Sequence, residues 1–236
     1  MTDDRRMRVA TTAGLVGVGV IAIGSIVTAL AYSGRYGQPY SPLNHWVSEL
    51  GEQGVSALAP VFNVSLMIGG LLFALFMVLL AMSRRGVLRY AYGALGLIAG
   101  VAGFFVGVFP MNHLEQHSTA ALTFFNLGWI SVGLASLDIV LKPDPRFPRW
   151  LAIIGALTVV AFVGFLVSVQ VDPLVGEDML GAPENRPDFW IVATLEWAII
   201  AGMLGWVALT AWCWRRAGAR ASATDAATAS EASATS

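Results

Sequence analysis

The chain has 236 residues, of which 56% are hydrophobic and only 12% charged. A soluble domain carries roughly 25% charged residues, so lipid rather than water must solvate most of this surface. A net charge of −1 leaves no basic excess for nucleic acid, and the single cysteine, Cys213, excludes an internal disulfide or a multi-cysteine metal site.

Residues 1–8 are polar and carry Arg5, Arg6 and Arg8. The apolar run that follows is longer than a signal-peptide core, so it reads as a span and not as a cleaved leader. A helix needs about 20 apolar residues to cross the hydrocarbon core. Six segments meet that length, at about 9–32, 60–82, 88–110, 118–141, 149–170 and 189–214. The expected class is all-α, an integral membrane bundle of six transmembrane helices. Residues 215–236 form an Ala/Ser/Thr-rich tail with too little apolar surface to offset ordering, and disorder is expected there.

Of the fourteen Lys and Arg, only Arg35 and Arg186 lie on one side of the six spans; all the others flank the opposite side. By the positive-inside rule the basic side is cytoplasmic, with both termini there. The outer loops are acidic, with Glu49, Glu52, Glu115, Asp172, Glu177, Asp178, Glu184 and Asp188. Two of them, about 33–59 and 171–188, are long, and long loops in compact proteins are commonly functional.

Along span three, Gly93, Gly96, Gly100, Gly103 and Gly107 alternate by three and four residues, a continuous stripe on one helix face. Membrane helices associate through close packing, so this stripe predicts intimate contact with a neighbour.

The first outer loop contains Ser41-Pro42-Leu43-Asn44-His45-Trp46-Val47-Ser48-Glu49-Leu50-Gly51. Ser41 suits an N-cap, Pro42 the first helical position and Gly51 a C-cap. A short amphipathic helix is expected, with Leu43, Trp46, Val47 and Leu50 on its apolar face. Asn44, His45, Ser48 and Glu49 would form its polar face, either at the interface or facing into the bundle.

A second cluster opens span four, with Asn112, His113, Glu115 and His117. If the helix starts near Asn112, His113 and His117 share a face at i, i+4, a spacing that suits two imidazoles on one metal ion. No motif demands a cofactor. Zinc is the metal that His45, His113, His117 and Glu49 would suit, although no HExxH motif is present. The bland alternative is that these groups only tie loop one to span four.

Glu196 lies about two turns into span six, and an intramembrane carboxylate is a functional candidate by default. His117, His45 and Arg186 are its candidate partners. Asn63 and Asn126 suit interhelical hydrogen bonds. Asp138, with Lys142 at i+4, reads as structural.

The run from Tyr40 to Gly51, then Pro60-Val61-Phe62-Asn63 and Gly69-Gly70, resembles the prokaryotic membrane family catalogued as domain of unknown function 998. The Phe109-Pro110 end of span three and His117 fit as well. The resemblance covers about residues 10–214. It implies six spans in a prokaryotic plasma (inner) membrane and no established activity. It also implies that Ser48, Glu49, Gly51, Asn63, Pro110 and His117 are shared positions, with His45 and His113 less typical.

Three functional readings follow. In the first, an outward polar pocket of Asn44, His45, Ser48, Glu49, Asn63, Asn112, His113, His117 and Glu196 binds a lipid headgroup, small molecule or partner. In the second, an intramembrane hydrolase uses His117, Glu49, Ser48 or Glu196, through a metal or a general base. In the third, a proton-coupled carrier uses Glu196. The inner halves of the spans hold few polar groups, which disfavours the third.

Overall fold

The computed structural model describes residues 2–172, 174–175 and 186–234. Glu177, Asp178 and Glu184 lie outside the described residues. Six long helices make up the fold: α1 Asp3–Leu30, α2 Ala59–Ser83, α3 Leu88–Val108, α4 Leu114–Leu141, α5 Leu151–Val171 and α6 Ile191–Ala234. All six are long and apolar enough to span a membrane, and no strand occurs among the described residues.

Successive helices pack side by side, and α1 also packs on α6, so the bundle closes into a ring. Chain direction alternates, which puts the Arg-rich connections and both terminal segments at one end, the basic end. The long 31–58 connection lies at the other, the loop end.

The glycine stripe of α3 seals the ring against α2. A Cβ on Gly100 would stand 2.6 Å from the Gly70 carbonyl oxygen, and one on Gly107 would stand 2.4 Å from that of Asn63. Neither position tolerates a side chain without moving backbone. Lipid tails reward helix contact no more than leucine does, so this close approach must supply the attraction.

α6 runs on beyond the apolar part to Ala234, through the tail for which composition predicts disorder. The sequence there lacks a core-forming face, but alanine is the strongest helix former, and the structure follows that propensity.

At the basic end Arg84 is 5% exposed and reaches the buried Asp138, Nε to Oδ2 at 2.8 Å. It also donates to the Asp138 and Lys142 carbonyls and to Asp144. Lys142 completes the expected i+4 pair with Asp138 at 3.0 Å. Burial alone would raise the Asp144 carboxyl, but hydrogen bonds from Arg146, together with the Arg146 and Arg84 charges, hold it below the usual carboxylate range. Short connections are clamped here by paired charges, and the ring is shut.

Candidate functional site

At the loop end residues 41–51 sink into the mouth of the ring. The expected helix over 42–50 does not form. A turn at 42–44 leads into a 3₁₀ helix, Val47–Gly51. Side-chain acceptors take backbone donors of this segment, and two of these, at Trp46 and Val47, are ones that an α-ladder would use. His45 Nδ1 accepts from the Ser41 N–H at 3.2 Å, and Glu49 Oε1 reaches back to the Trp46 N–H at 2.8 Å. Glu196 Oε2, from α6, accepts from the Val47 N–H at 2.7 Å. Local side-chain bonds compete with helix in this way, and here they win.

The segment is therefore a plug, not an amphipathic helix lying at the interface. His45, Trp46, Val47, Glu49, Leu50 and Gly51 are all buried, whereas Asn44 and Ser48 are half-buried and Leu43 is exposed, so residues of the expected polar and apolar faces go inward together. Its anchors come from around the ring. Asn63 of α2 donates to the Gly51 carbonyl at 2.9 Å. Arg186 donates to Glu49 Oε1 at 2.8 Å and to the Asn44 carbonyl at 3.3 Å. The Trp190 N–H donates to the Leu43 carbonyl at 2.7 Å. Asn112 and Gln53 exchange two bonds, at 2.8 and 2.9 Å, and Arg35 pairs with Glu52.

Two phenols, Tyr32 and Tyr40, and the indole of Trp197 belong to this network and were not singled out by the sequence pattern. The Tyr32 hydroxyl donates to Glu49 Oε2 at 3.3 Å. Tyr40 accepts from Trp197 Nε1 at 2.7 Å and donates to the Trp46 carbonyl at 2.9 Å. Burial, reinforced by Glu49 for Tyr32 and Glu196 for Tyr40, keeps both phenols well above their ordinary range, so both remain donors. The signal that would have found them is a polar-tipped aromatic in a loop flanked by carboxylates.

His45 packs edge-on to Tyr32 and tilted on Tyr40, with ring centroids 5.6 and 5.2 Å apart. With Nδ1 accepting, the neutral ring carries its proton on Nε2, which is buried without a partner. Burial lowers its pKa, opposed by Glu49 and assisted by Arg186.

The three histidines do not meet. A separate 3₁₀ turn, Met111–His113, precedes α4, so His113 stands before the helix and is exposed. The i, i+4 register assumed for His113 and His117 is thereby lost. His117 is buried on α4, with Nδ1 2.8 Å from the Phe109 carbonyl. A carbonyl only accepts, so Nδ1 carries the proton and Nε2 is left to meet a ligand. Among the described residues no group of three or more His, Cys, Asp or Glu is placed to hold a metal ion. The proposed shell of His45, His113, His117 and Glu49 is thus not assembled. Asn126, expected between helices, is exposed and bonds back to the Leu122 carbonyl at 2.8 Å.

Beneath the plug lies a cavity of about 110 Å³. Val47 and Ser48 of the plug roof it, and His117 of α4 and Glu196 of α6 line it near the loop end. Its deeper wall is apolar, with Gly17, Gly70, Gly100, Phe124, Phe125 and Met203. Lining residues come from α1, α2, α3, α4 and α6. Ser48 Oγ donates to Met111 Sδ at 3.3 Å, and no hydrogen bond joins it to His117 or Glu196 among the described residues. The site is a greasy chamber with a few convergent polar groups at one end, the usual form of a small-molecule site.

No curated protein and no solved structure matches this chain. The family model described as protein of unknown function DUF998 matches residues 18–215. That match runs from within α1 to within α6 and includes the plug and the four helices between, and the chain, a multi-pass helical bundle, belongs to this family.

Proposed function

We propose that the protein lies in the prokaryotic plasma membrane with its basic end cytoplasmic, and that the plugged cavity binds a lipid or a small apolar molecule with one hydrogen-bonding group. The observation that carries this reading is the distribution of chemistry within the cavity. The wall is apolar for its whole depth, and Ser48, His117 and Glu196 gather only under the plug. An apolar chain would occupy the wall, while a hydroxyl or amide N–H would donate to His117 Nε2 beside the Ser48 hydroxyl. The outer polar residues Asn44, His45, Asn63 and Asn112 support the plug and do not line the cavity, so the polar pocket first inferred becomes a roof over an apolar one.

The test is mass spectrometry of small molecules that co-purify with the protein in mild detergent. Wild type is expected to retain a defined amphiphile. Ala121→Phe, which adds a ring to the cavity wall, is expected to lose it with the fold intact by circular dichroism. Equal retention by both proteins would overturn the reading.

A hydrolase is the second reading, and one observation favours it. His117 is held by Phe109 in the tautomer whose free Nε2 is a general base, and it lines the same cavity that Ser48 roofs. Ser48, however, is turned to Met111, so the bond that would activate it is not made. Turnover of the retained amphiphile by wild type, absent in His117→Ala, would promote this reading over simple binding. The carrier reading asks Glu196 to exchange protons across the membrane, and its carboxylate is instead committed to the Val47 N–H.

A further inference from the structure

A second space opens at the opposite end of the molecule. Between α2 and α3, near the basic end, runs a groove of about 380 Å³. Small residues make its floor: Gly93 and Ala81 are buried, and a Cβ on Gly93 would lie 2.7 Å from that of Ala81. Its sides are Met82, Tyr90 and Leu97, all exposed on the surface that lipid would cover. Arg89 stands at its basic end.

Several cations at this end are spent in ion pairs, whereas Arg89, like Arg85 and Arg149, is in none among the described residues. Arg84, Lys142 and Arg146 are paired with Asp138 or Asp144, and Arg6 and Arg8 with Asp3 and Asp4. Among the described residues Arg89 has no carboxylate partner. Its Nη1 donates to the Arg84 carbonyl at 2.7 Å and its Nη2 to the Tyr90 hydroxyl at 2.6 Å, which fixes the guanidinium against the groove. Its Nε is buried and has no acceptor. That donor is covered by the chain, but Nη1 and Nη2 each keep a second N–H, and an anion supplied from outside the chain would accept from these with the assistance of the guanidinium charge. α3 also begins here, at Leu88, without a side-chain cap, so its positive end faces the same way.

We propose that this groove is a binding site for an anionic phospholipid of the leaflet at the basic end. Its phosphate is held by Arg89 and one acyl chain lies along Gly93, Ala94 and Leu97. Chain transfer from bilayer to groove changes little in polarity, so selectivity must come from the headgroup. The charge match at Arg89 supplies it. The site is independent of the plugged cavity, and nothing about it rests on what that cavity binds.

The test reconstitutes the protein in vesicles of equal parts phosphatidylglycerol and phosphatidylcholine, re-extracts it in mild detergent, and counts retained lipid by native mass spectrometry. Wild type is expected to retain phosphatidylglycerol in preference. Arg89→Gln is expected to lose that preference severalfold. Ala94→Phe fills the groove from an exposed position with the guanidinium intact and is expected to do the same. Arg149→Gln, which removes an exposed charge at the same end outside the groove, is expected to keep it. Retention by Arg89→Gln and Ala94→Phe at the wild-type level would overturn the proposal. So would an equal loss in Arg149→Gln, which would mean that diffuse basic charge recruits the lipid. Should Arg89→Gln fail to fold, Ala94→Phe decides the matter alone.

Discussion

The two ends of this bundle bury carboxylates for different purposes. At the basic end Asp138 and Asp144 meet guanidinium and ammonium groups, side chain to side chain, and lock short connections together. At the loop end Glu196 accepts the Val47 N–H with no ion-pair partner among the described residues, and Glu49 takes the Trp46 N–H together with the Arg186 guanidinium, so both carboxylates hold the main chain of one eleven-residue segment. Paired charges make a knot. Carboxylates that hold main chain make a seated plug, and a cavity remains beneath it.

The sharpest way to break that comparison is Arg84→Gln. It leaves Asp138 buried with only the half-exposed Lys142, and removing one partner of a buried pair costs about 3–5 kcal/mol. Unfolding in detergent, followed by helical circular dichroism, should register a loss of that order, with hydrogen exchange rising throughout the bundle. A loss below about 1 kcal/mol would mean that the basic end is no knot, because that is the scale of an exposed pair.

At the loop end a smaller and more local effect is expected. Glu196→Ala leaves the Val47 N–H buried without its acceptor, at a cost of about 1–3 kcal/mol. Glu196→Gln keeps an acceptor oxygen and should cost less. Hydrogen exchange in Glu196→Ala should quicken over residues 41–51 while the distal halves of the helices stay protected. Exchange that rises equally everywhere would erase the distinction between plug and knot.

The smallest expected effect is on pH. Burial holds the His45 pKa below its ordinary 6.5, so the unfolded chain takes up this proton first. The associated stability is complete above that value and falls away as pH drops below it. Glu49, Arg186, Tyr32 and Tyr40 surround the ring and set the size of the effect. Melting of wild type should therefore decline on acidification from neutrality in a way that His45→Gln does not. Parallel curves for the two proteins would place the acid sensitivity elsewhere.

What the sequence determined by itself is what depends on local composition and on lipid. Six apolar stretches of spanning length had to become helices, because no other open structure satisfies backbone hydrogen bonds in hydrocarbon. The glycine stripe of α3 announced a close neighbour, and Asp138 with Lys142 at i+4 was readable from helix geometry. Only the tertiary structure decided which group answers which across the chain. Val47 meets Glu196 over 149 residues, Arg186 meets Glu49 over 137, and Arg84 meets Asp138 over 54. No periodicity encodes such pairs, since they exist only once the ring has closed. The same reason explains the misread segment. Residues 42–50 carry a good helical pattern, but the pattern is local, and the acceptor on Glu196 that helps to undo it arrives from a distant helix.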